Sequence, residues 1–132
     1  MSTTQSINFT DSKAVQAKPD FYTSVTLDID AVLKSWQLSV FSFEWMEKTG
    51  AIKPSDALKE TDQEKRKAVE DALQSGTPLD TPVLGIGIQD NVEIGSGKAV
   101  LCTLAANGIK TIPAHIPKSN ESDFQDFIAE LS

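Results

Sequence analysis

The chain has 132 residues, 39% of them apolar and 23% charged, a composition that suits one ordinary globular domain with a single core. Its formal charge is −7, and residues 25–93 carry most of that excess with thirteen acids and seven bases, which disfavours phosphate-dominated binding of DNA or RNA. One cysteine permits no internal disulfide and no cysteine-based metal cluster, and no stretch reads as a membrane span or a signal peptide, so a cytoplasmic, membrane-free protein is expected.

Residues 1–20 are polar and weakly patterned and read as a flexible tail, leaving 21–132 as one domain. In "SVTLDIDAVL", Val25, Leu27 and Ile29 alternate with polar residues, the period of a half-buried strand, and Asp30 is placed to cap a following helix. That helix is expected to run to Gly50 with Leu33, Trp36, Val40 and Phe43 on its buried stripe. Phe41 and Trp45 fall off the stripe, either as a widening of the core face or as a patch that meets a partner.

A second helix follows. Thr61 and Glu64 have capping-box spacing, Ala68, Val69, Ala72 and Leu73 form its apolar stripe, and Gly76 ends it. The mixed charges of "EKRK" suit its solvated face. Val83, Leu84, Ile86 and Ile88 then read as a strand whose other face is bare at Gly85 and Gly87, for close packing by a helix or for a ligand.

"VEIGSGKAVLCTLAANGIKTIP" reads as a strand end, a glycine turn, a short helix and a further strand. Gly95, Ser96, Gly97 and Lys98 form the turn, with Ser96 as helix cap and Val100, Leu101, Leu104 and Ala105 on the buried face. Two readings stay open there: a tight corner, or an anion or nucleotide site built from backbone N–H groups at a helix start with Lys98 as cation. A Walker A loop is excluded, because Val92 and Ala99 stand where that motif needs Gly and Ser or Thr. No dinucleotide glycine fingerprint is present either.

"KTIPAHIP" is a strand with prolines near both ends, expected at a sheet edge. A last amphipathic helix is expected with Phe124, Phe127, Ile128 and Leu131 inward. The order β-α-α-β-β-α-β-α specifies an α/β (α+β) fold, a mixed sheet packed with helices.

No catalytic constellation emerges. His115 and Cys102 both suit structural positions, and Asp28, Asp30, Asp90 and Glu93 lack metal-ligand spacing. No catalytic residue, metal or cofactor is expected.

Over "VEIGSGKAVLCTLAANGIKTIPAHI" the chain resembles the ParB/sulfiredoxin-like family, whose ParB N-terminal domain runs strand, glycine, turn, helix, glycine and a Thr-(Ile/Val)-Pro strand. With Gly97 on that first glycine, Gly108 and Pro113 fall into register without a gap. "KAVEDALQSGTPLDTPVLGI" and "VTLDIDAVL" extend the similarity across roughly residues 25–117, with no counterpart for 36–60. The resemblance implies the scaffold without its activities. The phosphate-binding arginines fall at Ala99 and Val100, and the sulfiredoxin cysteine falls at Lys98. ParB's helix-turn-helix and dimerisation segments have no counterpart. The expectation is a non-catalytic protein-binding module. It would present its acidic surface, with Phe41 and Trp45, to a basic protein partner, as an immunity or antitoxin protein does. The alternative is a nucleotide- or phosphate-binding protein that uses Gly95–Lys98.

Overall fold

The computed structural model describes residues 7–129. Its main sheet has the order β2-β6-β4-β5, where β2 is Tyr22–Asp28, β4 Val83–Ile86, β5 Val92–Ser96 and β6 Thr111–Pro117. β2 and β6 are antiparallel over seven register pairs, β4 and β5 form an antiparallel hairpin, and β6 meets β4 in parallel. Helices α2 (Ile29–Trp36), α3 (Glu60–Ser75) and α4 (Lys98–Ala106) complete the mixed α/β fold.

The core is built from Leu27, Ile29, Val32, Trp36, Leu84, Val92, Leu101, Leu104, Ile112, Ile116 and Phe124, all essentially removed from water. Val25 and Leu27 alternate with exposed Thr26 and Asp28, as expected of the strand. Gly76 closes α3 in the left-handed region at φ 77°. Val100, Leu101 and Leu104 are buried on α4, as is Cys102.

Other expectations are corrected. Residues 7–20 do not form a tail. β1 (Phe9–Thr10) pairs in parallel with β3 (Leu79–Asp80), and α1 (Lys13–Ala17), capped by Ser12, buries Val15. Residues 1–6 lie outside the described range. The cap of α2 is Asp28, whose carboxylate accepts from the N–H groups of Asp30 and Ala31. α3 begins at Glu60, one turn position ahead of the supposed Thr61–Glu64 box, and no side chain caps it. Ala68 is exposed.

The helix expected up to Gly50 stops at Trp36 and gives way to a 3-10 turn over Val40–Glu44. Serine hydroxyls redirect the chain. Ser39 Oγ accepts from the Phe41 N–H, and Ser42 Oγ donates to the carbonyls of Gln37 and Ser39. In a 3-10 turn residues three apart share a face, so Trp36, Ser39, Ser42 and Trp45 all point inward. Val40 and Phe43, expected inside, are outside.

β6 is an interior strand, not an edge. Its prolines are tolerated because the His115 N–H faces β4, donating to the Pro82 carbonyl at 2.9 Å. Strand alternation puts the ring nitrogens of Pro113 and Pro117 on that same side, where neither can donate. The β4–β6 ladder is accordingly limited to the Val83–His115 pair. Ile88 lies beyond β4 in the turn to β5, fully exposed. The bare glycine face packs against no helix: a Cβ at Gly85 would find only Asn120 Oδ1 at 3.8 Å, and one at Gly87 would meet Glu93 Cγ at 2.8 Å. The final segment is a 3-10 turn over Ser122–Phe127, after which Ile128 pairs with Leu27 beside the β2 edge. Leu131 lies outside the described residues.

Gly97 has φ +85°, and a Cβ there would lie 2.7 Å from Pro82 Cα; Gly76 has φ +77° with open space around it. Gly76→Ala therefore incurs only left-handed strain, about 1–2 kcal/mol. Gly97→Ala adds a backbone collision and should lose clearly more in urea unfolding. Equal losses at the two positions would contradict the packing at Pro82.

Candidate functional site

β5 leads through Gly95 and Ser96 into Gly97, from which α4 starts. Gly95 is also confined, since a Cβ would sit 3.2 Å from the Val83 carbonyl oxygen. Ser96 is not the cap. It is the last residue of β5, and α4 begins from the left-handed Gly97 with no side-chain cap. Packing thus demands glycine at 97 and leaves little room for a side chain at 95.

Lys98 is already partnered. Its Nζ lies 3.0 Å from Glu44 Oε1, and Lys59 Nζ lies 3.0 Å from Glu44 Oε2. Hydrogen bonds from Lys59 and then Lys98 hold the Glu44 carboxyl below its ordinary value, and Glu44 in turn raises Lys59. The pairing gives Lys98 a structural role at a helix end whose dipole opposes a cation.

Beside the turn lies a cavity of about 300 Å³, lined by residues 94–100 together with Trp45, Asp62 and Lys65. Across the turn a second cleft runs to Ser12, Lys13 and Asp80. Trp45 is fully buried and Asp62 is 4% exposed, yet Trp45 Nε1 and Asp62 Oδ2 have no hydrogen-bond partner. The acid disfavours a free anion in this cavity.

The structure separates the two aromatics of the expected contact patch. Trp45 is core and cavity wall, unavailable to a partner on the surface, whereas Phe41 is 59% exposed. Around it Leu38, Val40 and Phe43 are 67–76% exposed. The 3-10 segment is inverted: its serines are inside and its large apolar side chains are outside. Glu93 anchors it by accepting a 2.7 Å hydrogen bond from Ser39 Oγ.

The remaining candidates stay apart. Asp28 caps α2, Asp30 lies 3.9 Å from Lys110, and Asp90 occupies a turn at φ 62°. Among the described residues no three His, Cys, Asp or Glu side chains are grouped to hold a metal. His115 Nε2 is 3.7 Å from Asp11 Oδ1. Burial pushes the Cys102 thiol up to about 12, outweighing the opposite pull of Lys98. Glu44, Asp62 and Lys65 were not legible as site residues, since each reads as an isolated surface charge.

No protein-family model matches the chain, and neither a curated protein nor a solved structure does. The ParB/sulfiredoxin-like family is therefore not identified by comparison. No helix among the described residues is long and apolar enough to cross a membrane.

Two pH effects follow. A carboxyl depressed by folding contributes stability above its unfolded value, so the Glu44 contribution is present above 4.5 and lost as the pH falls through its native value. Glu44→Gln should flatten that acid limb in urea titrations across pH 2–6, and an unchanged limb would deny the pairing. A thiol raised by folding behaves oppositely. The Cys102 contribution is complete below the unfolded value of 9.0 and lost as the pH rises from 9.0 toward about 12. Cys102→Ala should remove that alkaline slope, and native Cys102 should resist a thiol reagent that labels the unfolded chain at once.

Proposed function

We propose that this protein is a non-catalytic binding module that docks a basic protein partner through the exposed side chains of Leu38, Val40, Phe41 and Phe43. One observation carries the reading: this segment buries Ser39 and Ser42 while leaving four large apolar side chains in water. Folding alone gains nothing from that arrangement, and exposed apolar clusters of this kind favour protein contact. The −7 charge supplies the complement to a basic partner and speeds encounter with it. An immunity- or antitoxin-like role in the cytoplasm fits this chemistry.

The ParB/sulfiredoxin-like scaffold belongs to the same proposal. In its support, the chain runs from β5 through Gly97 into α4, then through Gly108 at φ 80° into a strand containing Pro113. The anion-binding alternative has less behind it, because Lys98 is paired with Glu44 and Asp62 lines the adjoining cavity.

A photo-crosslinking residue at position 41 tests the docking face. A basic protein should be captured there, form a defined complex when purified, and bind more weakly as salt rises. Phe41→Asp should weaken that complex by about a hundredfold or more, as loss of an aromatic anchor does, while leaving the melting temperature unchanged or higher. Self-association of the pure chain that Phe41→Asp abolishes would replace the partner with a second copy. A partner bound equally by wild type and variant would reject the face.

A further inference from the structure

The start of α4 has three N–H groups without a helical acceptor, those of Lys98, Ala99 and Val100, because the first bond back to the turn is Leu101 N–H to the Gly97 carbonyl at 3.0 Å. All three residues line the 300 Å³ cavity, and no side chain caps the helix. The helix start therefore asks for an acceptor, preferably anionic. Trp45 supplies another unmatched donor, its Nε1–H, from a fully buried ring that also lines the cavity.

Asp62 asks for the opposite. It is 96% removed from water, it lines the same cavity, and its Oδ2 has no hydrogen-bond partner among the described residues. A buried carboxylate oxygen without a donor is costly, and a native structure that retains one calls for a group to answer it. Lys98 and Lys59 are both held by Glu44, and Lys59 feels Asp62 only as a secondary charge.

A simple anion would satisfy the N–H groups and face Asp62 unfavourably. A simple amine would satisfy Asp62 and face Lys65 and the positive helix end. A single water occupies about 30 Å³, a small part of this space. A molecule carrying both charges answers both demands at once, and 300 Å³ is at the small end of ligand pockets.

We propose that the cavity between the start of α4 and Asp62 binds a free α-amino acid, its carboxylate on the N–H groups of Lys98–Val100 and the Trp45 indole N–H, its ammonium on Asp62. The cavity shares no lining residue with Leu38, Val40, Phe41 or Phe43, and its assignment does not rest on the docking reading.

The test is titration of the purified full chain with each standard L-amino acid at millimolar concentration. Methylamine, acetate and inorganic phosphate serve as separate single-charge probes. Melting temperature and the assigned indole ¹⁵N–¹H resonances are the readouts. At least one amino acid should raise the melting temperature and move the Trp45 indole resonance, leaving that of Trp36 in place. The single-charge probes at equal concentration should do neither. Asp62→Asn should weaken the binding by about tenfold or more, the loss of a charge-assisted contact. Should Asp62→Asn fail to fold, the wild-type indole shift and the three probes decide alone. The proposal is overturned if no amino acid moves the Trp45 resonance, if acetate, phosphate or methylamine alone reproduces the shift, or if Asp62→Asn binds as wild type.

Discussion

Gly97 sits where its missing side chain would collide with Pro82, and three elements are fixed by that junction. The left-handed turn at Gly97 takes the chain from β5 into α4. The residue it rests on, Pro82, directly precedes β4, and the Pro82 carbonyl receives the His115 N–H from β6. Removing the close approach would therefore disturb the start of α4, the β4–β5 hairpin and the parallel joint to β6 together. The joint has little reserve, since Pro113 and Pro117 deny β6 its neighbouring donors on that side.

Electrostatics then ties the irregular segment to this corner. Glu44 ends the 3-10 turn and reaches Lys59 just ahead of α3 and Lys98 at the start of α4. One carboxylate thus joins three parts of the chain that are distant in sequence. The Glu44 side chain is 24% exposed, so its pairs are only partly screened, yet surface pairs are modest stabilisers. Their effect is to position: they tie the end of the 3-10 turn to the starts of α3 and α4.

The mixed sheet, Gly76, Gly97 and the buried face of α4 were legible because their signals are local. A strand period, a glycine at a helix end and an apolar stripe each act within a few residues. The segment 37–45 was not. Its apolar residues fit a 3.6-residue stripe through Trp36, Val40 and Phe43, whereas the chain follows a period of three through Trp36, Ser39, Ser42 and Trp45. Serine side chains decide between the two by bonding to nearby backbone, and hydrophobic periodicity carries no record of that competition. β6 was misplaced for a related reason. Proline forbids only the hydrogen bonds on one side of a strand, and sequence does not say which side has a neighbour. Of the candidate site, the glycine corner was readable from its residues. Glu44, Asp62 and Lys65 meet it only through tertiary contact.

The docking face and the cavity are opposite sides of one short segment. Phe41 and Phe43 point to solvent, while Trp45 walls the cavity and Glu44 holds Lys98 at its rim. A molecule filling the cavity would add contacts to the inner side of that segment. A partner gripping Phe41 gains if those contacts order the segment, since the entropy of fixing it is then already lost. Linkage makes the effect reciprocal: if the ligand tightens the partner's grip, the partner must tighten the ligand's by the same factor.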